Sequence, residues 1–362
     1  MTARQRHILA GLVLAVVVGL SGLRRPSVVT AADTLPERIP DAEFRQLIAD
    51  MSESNGTFRS NNLLSNEISF QHALPRLVQM TRPGRVYLGV GPEQNFTYVA
   101  ALRPAVAFIV DLRQGNVDLH LMYKALFEIS ADRAEFVSRL FSRPRPAGLD
   151  ARSSVGEIFG ALANVRPTES FYTQNLSDMR NQLLNRHGLA LSDAELSGIE
   201  FVYRAFFTLG PTIRYSPIGL AGGTTQPTYA ELMAATDEGG NARGFLSSEA
   251  VFGFVKGLQS RNLVVPIVGN FAGPKAIRAV GRYAKDRGAT VSAFYLSNVE
   301  EYLVQDGVWR DFCANVATLP LDDASTLIRS VRIDGPAGPR TGFVPQLKGM
   351  VEAVSSCDRS GP

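Results

Sequence analysis

The sequence lacks the residues that most metal sites and many catalytic motifs require. It has only two cysteines and four histidines in 362 residues, with no CxxC pair and no cysteine–histidine cluster, so no metal site is expected. A phosphate-binding P-loop, a Gly-x-Ser-x-Gly elbow and an HExxH motif are absent too. The hydrolase, ATPase and zincin classes therefore lack a nucleophile or a ligand set, and the catalytic residues are unknown.

The sequence also lacks a positive charge spread along its body. The net charge is +3, but residues 1–32 contain four arginines and no acidic residue. Removing that +4 from the total of +3 leaves the rest of the chain at −1. A nearly neutral body argues against a general DNA- or RNA-binding surface, and no nucleic-acid partner is expected.

Residues 1–32 have the pattern of a targeting segment. A short basic start precedes an apolar run over residues 8–23, which is shorter than the roughly 20 residues that cross a bilayer. Small residues at 29–31 are typical of a signal-peptide cleavage site, whereas Arg24 and Arg25 also suit an uncleaved anchor. We therefore expect an exported or periplasmic protein, or alternatively one anchored to the membrane by residues 8–23, and no other contact with the membrane.

The two cysteines, Cys313 and Cys357, lie in the last sixth of the chain. In an oxidising compartment they can form a disulfide that ties the end of the chain to its body. The alternative is a pair of free thiols, because spacing along the sequence does not settle their distance.

The pattern of apolar runs indicates an α/β fold. Residues 85–129 and 263–303 each alternate short buried strands with helices, which favours a Rossmann-like, mostly parallel sheet with helices on both faces. A large, mainly helical insertion is expected at about 130–245. The remaining divisions are a linker over 33–41, an α/β domain over 42–335 and a C-terminal tail over 336–362.

The turn after the first strand is the best candidate for a ligand site. Gly89 and Gly91 let backbone approach a ligand, and Glu93 stands at the start of the next helix. Asp111 ends the second strand, about twenty residues further on, where an acid can bind the two hydroxyls of a ribose. The alternative interpretation is that the glycines serve a tight turn and that Asp111 caps a helix.

This arrangement resembles the class I S-adenosylmethionine-dependent methyltransferases. The stretches 87–104, 121–128, 273–303 and 315–320 look closest to an uncharacterised bacterial family with that fold. The resemblance implies S-adenosylmethionine as the one candidate cofactor. Two positions depart from the first motif of active enzymes, since Tyr87 replaces an acid and Glu93 replaces a third glycine. A carboxylate at Glu93 would crowd the amino-acid end of the cofactor.

A second turn contributes Asn270 as a candidate. In the resemblance it lies near the Asp or Asn of the Asn-Pro-Pro-Tyr motif of base-modifying methyltransferases, and it is expected to follow the fourth strand of that fold. The alternative is turn chemistry alone. The polar segment 60–67 is expected either to lie over the top of the sheet or to be a solvated connection, and His72 and His120 are expected to be structural helix residues.

Three functional hypotheses follow. The first is an exported protein that uses a methyltransferase-like fold to bind a small nucleotide-like or other ligand without methyl transfer. The second is an active S-adenosylmethionine-dependent methyltransferase. The third is a protein-interaction module that docks an unknown partner through the helical insertion.

Overall fold

Six strands form a single sheet in the computed structural model, which describes residues 34–215, 226–335 and 338–357. The predicted targeting segment, residues 1–32, lies outside the described residues. The strands are β1 Val86–Val90, β2 Val106–Asp111, β3 Val264–Val268, β4 Val291–Ser297, β5 Thr326–Gly335 and β6 Gly338–Gly349.

The strand order is β3-β2-β1-β4-β5-β6, with β1 to β5 parallel and β6 antiparallel to β5. Every residue of β1, β2 and β3 is buried, as expected for parallel strands covered by helices on both faces. The predicted Rossmann-like α/β class is therefore confirmed. Pro266 lies in β3 at the edge of the sheet, a position that tolerates the missing N–H of proline.

Fourteen α-helices accompany the sheet among the described residues. They are α1 Asp41–Met51, α2 Leu74–Met80, α3 Gln94–Leu102, α4 Gln114–Ile129, α5 Arg133–Leu140, α6 Val155–Ala163, α7 Glu169–Arg180, α8 Asp193–Leu209, α9 Tyr229–Ala234, α10 Glu249–Ser260, α11 Ala276–Asp286, α12 Val299–Gln305, α13 Trp309–Val316 and α14 Met350–Ser356. Within the described ranges, no helix is both long enough and apolar enough to span a membrane.

The stretch predicted as a helical insertion contains α5 to α9 and separates α4 from α10. A capping box of Ser192 and Glu195 begins α8. The backbone N–H of Glu195 donates to Ser192 Oγ at 3.3 Å, and the backbone N–H of Ser192 donates to the Glu195 carboxylate at 2.8 Å. A π-helical turn, Asn181–Arg186, continues α7.

A buried charged network ties the insertion to the rest of the fold. His187, just after the π-helical turn, lies 2.6 Å from Asp41 at the start of α1 and 2.6 Å from Glu128 in α4. Lys124 donates to the other oxygen of Glu128 at 2.7 Å. The hydrogen bond to Glu128 raises the pKa of His187.

The predicted linker leads directly into the packed helix α1, and Ile39 within the linker is fully buried.

Two sequence-based expectations need correction. The apolar spacing over residues 65–80 is typical of one helix, but the chain is helical only from Phe70, and Pro75 lies in the first turn of α2, where its missing N–H is tolerated. Residues 336–362, predicted as a tail, contain β6 and α14, so the sheet continues past residue 335.

A disulfide joins Cys313 in α13 to Cys357 after α14, with the two Cα atoms 6.1 Å apart. That separation lies in the ordinary range for a disulfide. Since α14 directly follows β6, the bond holds the chain that leaves the sheet edge against α13.

Replacing both cysteines with serine should lower the free energy of unfolding by about 2–4 kcal/mol, because the bond closes a loop with a sequence separation of 44 residues. Urea denaturation of the oxidised protein and of the double variant measures the difference. Equal stability would show that the bond does not constrain the unfolded chain.

Candidate functional site

A segment without regular structure crosses the carboxyl ends of the parallel strands. In this crossing segment, residues 52–69, the N–H of Glu53 donates to Val268 at the end of β3 at 2.9 Å. The N–H of Gly56 donates to Leu112 after β2 at 2.8 Å, and that of Ser65 donates to the Glu93 carboxyl after β1 at 3.2 Å. The polar segment 60–67 therefore lies over the sheet, as one of the two expectations had it.

The crossing segment fills the point where the strand order reverses, between β1 and β4. Open α/β sheets bind ligands at this switch point. Here the buried carboxylate of Glu67 occupies it and accepts hydrogen bonds from Tyr295 Oη at 3.0 Å, from Ser297 Oγ and from Gln94 Nε2 at 3.0 Å. The chain's own side chain thus takes the place that a ligand takes in other sheets of this type.

Asp111, predicted to bind a ribose, forms an ion pair instead. Arg113 approaches its Oδ1 with Nε at 3.0 Å and its Oδ2 with Nη2 at 3.0 Å, and the backbone N–H of Arg113 also donates to Oδ1. Arg113 additionally donates to the carbonyl of Asn61 in the crossing segment. Both carboxylate oxygens are engaged, so a ribose would have to displace Arg113.

The glycines after β1 are explained by the turn itself. A Cβ on Gly89 would lie 1.8 Å from Asn95 Oδ1, so the position must be glycine for Asn95 to pack there. Asn95 Nδ2 then donates to the carbonyls of Val90 at 2.9 Å and Pro92 at 2.8 Å. Gly91 has φ +74°, a backbone conformation that glycine adopts without strain. The tight-turn interpretation accounts for both glycines without a ligand.

Asn270 serves a local turn at the edge of the sheet. Its Oδ1 accepts from the N–H of Ala272 at 3.0 Å, and its N–H donates to Glu53 at 3.0 Å. The other oxygen of Glu53 accepts from the N–H groups of Lys275 and Ala276, both at 2.8 Å, at the start of α11. The comparison with a fourth strand was wrong, because the strand before Asn270 is β3, which pairs with β2 and lies two strands from β1.

Glu93 is the predicted site residue with unmet hydrogen-bonding capacity. The residue is fully buried, its Oε1 accepts from Ser65, and its Oε2 has no hydrogen-bond partner among the described residues. Burial raises the pKa of Glu93 to about 7. Below that pH the side chain is a neutral carboxylic acid that can donate as well as accept.

Helix α4 brings two further unpartnered groups to the same turn. His120 Nε2 lies 2.8 Å from the carbonyl oxygen of Gly91, while its Nδ1 has no partner within the described ranges. Burial lowers the pKa of His120 to about 4, so the ring is neutral. Asn116 lies one helical turn earlier on the same face, is buried, and has neither amide atom hydrogen-bonded to a described residue.

Two tyrosines complete the group. Tyr123, on the same face of α4, and Tyr229, in α9, are fully buried, and their hydroxyls interact with each other, although the geometry between them is not that of an ordinary hydrogen bond. Burial and then the nearby Glu93 carboxyl raise the pKa of Tyr229 well above its ordinary value, and burial and the Tyr229 hydroxyl do the same for Tyr123. Both hydroxyls therefore stay protonated. We call this set the Glu93 cluster: Glu93, Asn116, His120, Tyr123 and Tyr229.

The cluster was only partly visible in the sequence. Glu93 was a candidate, and His120 was expected to be a structural helix residue with its hydrogen bonds satisfied, which holds for one ring nitrogen only. Asn116, His120 and Tyr123 recur at i, i+4 and i+7, which is the one signal that places them on a single helix face. Tyr229 comes from the insertion and has no such signal. Among the described residues, no group of histidine, cysteine or acidic side chains could hold a metal ion.

The fold and its strand ends define an α/β protein with a Rossmann-like sheet. The chain belongs to the family described as domain of unknown function (DUF7790), whose model matches residues 63–151 and 220–344. The match includes the strands β1 to β5, Glu67 and the whole Glu93 cluster, whereas the unmatched interval holds α6, α7 and α8. Comparison with curated proteins finds no match.

The pKa of Glu93 leads to a test of its environment by pH. The folded protein keeps the Glu93 proton up to a pH of about 7, whereas the unfolded chain loses it from about 4.5. The stability contribution of this group therefore falls as the pH rises through that window. The variant Glu93→Gln does not titrate, so its free energy of unfolding should rise relative to the wild type by about 3 kcal/mol between the two ends of the window. Urea denaturation at several pH values measures this difference, and parallel curves for the two proteins would contradict it.

Proposed function

We propose that this chain is an exported protein that binds a small ligand at the Glu93 cluster and does not transfer methyl groups. The observation that carries the proposal is the concentration of buried, unpartnered polar groups beside the turn after β1. Five side chains from α4, α9 and the start of α3 contribute. Glu93, Asn116 and His120 keep polar atoms without a partner among the described residues, and the hydroxyls of Tyr123 and Tyr229 have only each other.

Burying such a cluster lowers the stability of the folded protein unless another molecule satisfies its polar groups. A buried polar group without a hydrogen bond costs about 1–3 kcal/mol, and native proteins contain a few such groups per 100 residues, so the grouping of these residues is the informative feature. Isolated cases occur elsewhere in this protein, for example Tyr283 in α11 and Trp309 in α13. The five grouped here lie at the carboxyl ends of parallel strands, where α/β proteins bind their ligands. Binding sites commonly sacrifice stability in this way.

The same strand ends argue against S-adenosylmethionine as the ligand. Glu67 fills the switch point with three donors around its carboxylate, and Asp111 is paired with Arg113. The carboxyl of Glu93 stands where the first motif of active methyltransferases has a glycine. We therefore place the ligand on the α4 side of β1 and not in the crevice between β1 and β4.

Two features support export. Residues 1–32 have the pattern of a signal peptide or an anchor, and Cys313 and Cys357 form a disulfide, a bond that persists in oxidising compartments and is rare in the cytosol.

Fusing alkaline phosphatase to the carboxyl end tests the location of the body. The enzyme folds only outside the cytoplasm, so an active fusion is expected, and deleting residues 1–32 should abolish that activity. A fluorescent reporter that works in the cytoplasm, fused at the same position, is the control. If the full-length phosphatase fusion is inactive while the fluorescent fusion is made at the same level and fluoresces, export is refuted.

A matched pair of asparagine variants tests whether the cluster is kept for binding. Asn116 and Asn315 are both helical and both 1% exposed, but Asn315 makes three hydrogen bonds, to Phe271, Gly273 and Arg278. We expect Asn116→Leu to leave the free energy of unfolding unchanged or higher, and Asn315→Leu to lower it by about 3 kcal/mol. Urea denaturation measures the free energy of unfolding of both variants. Equal losses would show that Asn116 is structural and that the proposed site is wrong.

Titration calorimetry addresses the methyltransferase alternative. Neither S-adenosylmethionine nor S-adenosylhomocysteine should release heat or shift the melting temperature of the purified chain. The variant Glu67→Ala, which opens the switch point, serves as a comparison. Micromolar binding of either compound by the wild type would overturn the non-methylating assignment.

A further inference from the structure

The hydrogen-bonding character of the Glu93 cluster can be derived group by group, starting with His120. Its Nε2 faces the carbonyl oxygen of Gly91 at 2.8 Å, and a carbonyl oxygen only accepts. Nε2 therefore carries the proton of the neutral ring, and Nδ1 is a pure acceptor. A ligand that satisfies His120 must bring a donor.

The other members add both donors and acceptors. The amide of Asn116 offers an acceptor oxygen and a donor nitrogen, and neither is bonded to a described residue. The hydroxyls of Tyr123 and Tyr229 each donate one hydrogen bond and accept others. A matching ligand must therefore present several groups that both donate and accept, and the hydroxyl is the simplest such group.

The cluster has no cation to balance an anionic ligand. The buried basic side chains of α4 and α5 are paired elsewhere: Lys124 with Glu128 at 2.7 Å, and Arg133 with Glu249 at 2.7 Å. Between about pH 4 and pH 7 the five members of the cluster are neutral, so a cationic ligand would lack a counter-charge as well. A buried charge without a partner is strongly unfavourable.

Aromatic rings surround these polar atoms. Phe96 packs edge-on against His120 and Tyr123, with ring centroids 5.5 Å and 5.2 Å apart. Phe206 contacts Tyr123 and Tyr229 at centroid distances of 6.1 Å and 5.9 Å. A few polar groups set among aromatic walls are typical of sites for small molecules that have both apolar faces and polar edges.

We propose that the Glu93 cluster binds an uncharged ligand that carries several hydroxyl groups, such as a sugar or a cyclitol. This inference rests on the proposed function and specifies its ligand. The ligand hydroxyls donate to His120 Nδ1, exchange hydrogen bonds with the Asn116 amide and the two tyrosine hydroxyls, and meet the free oxygen of Glu93.

A series of compounds matched in shape but not in charge tests the proposal. Glucose and myo-inositol are the neutral probes, glucose 6-phosphate and glucuronate the anions, and glucosamine the cation. Each is titrated calorimetrically into the full-length chain at about pH 6, where Glu93 is protonated. At least one neutral probe should bind, and each charged analogue should bind at least about tenfold more weakly.

Variants locate the binding. Asn116→Leu and Tyr229→Phe should each weaken binding of the neutral probe by about tenfold or more, since each removes groups assigned to the ligand. Tyr283→Phe is the matched control, because its hydroxyl is also buried and unpartnered among the described residues but lies on α11, where its ring packs against Phe108. Binding by this control should equal that of the wild type.

The outcomes separate the ligand class from the site. Equal or tighter binding of a charged analogue, or no binding of either neutral probe, overturns the ligand class. If Asn116→Leu nevertheless remains as stable as the wild type while Asn315→Leu does not, the proposed site still stands. Neutral binding that survives both Asn116→Leu and Tyr229→Phe overturns the placement at the Glu93 cluster.

Discussion

The fold depends on how the carboxyl ends of its parallel strands are closed. Strands of a parallel sheet end together at one edge, and the turns that follow leave backbone groups that need partners. The crossing segment supplies partners to backbone carbonyls at β3 and after β2, and it then contacts side chains after β1 and in β4. Two carboxylates of the crossing segment accept several of these hydrogen bonds. Glu53 holds the start of α11, and Glu67 holds the residues around the switch point. Only the later part of the segment, from Leu63 to Glu67, is largely buried in the core, whereas residues 52–62 are partly or fully exposed.

The two sides of β1 differ sharply in how their polar groups are satisfied. On the β4 side, the Glu67 carboxylate has three donors, and Gln94 links it to Tyr98 and Ser65. On the α4 side, the Glu93 cluster retains unpartnered atoms at comparable burial. Stability alone explains the first arrangement and does not explain the second. The contrast within one strand end supports assigning ligand binding to the α4 side.

Local patterns in the sequence predicted the parts of the fold that local physics determines. The strands β1 to β4, the helices α3, α4 and α11 and the capping box of α8 follow from short apolar runs, helical periodicity and cap residues. The hairpin of β5 and β6 was missed, because arginines interrupt the apolar residues of β5 and because β6 is rich in glycine and proline. The strand order and the pairing of Asp111 with Arg113 were missed for different reasons. The strand order depends on long-range packing. The ion pair depends on side-chain orientation, and the positions of Asp111 and Arg113 in the sequence do not show whether the carboxylate is paired or free.

The position of Glu67 also bears on the order in which the protein folds. Its partners Tyr295 and Ser297 follow it by 228 and 230 residues, so the switch point closes only after most of the chain has been made. Contacts of such high sequence separation slow folding, because a long loop must close before any of them contributes. A slow approach to the native state keeps a chain unfolded while it is threaded through a translocon. Under the export proposed above, the late closure of this contact by Glu67 would keep the chain unfolded during translocation.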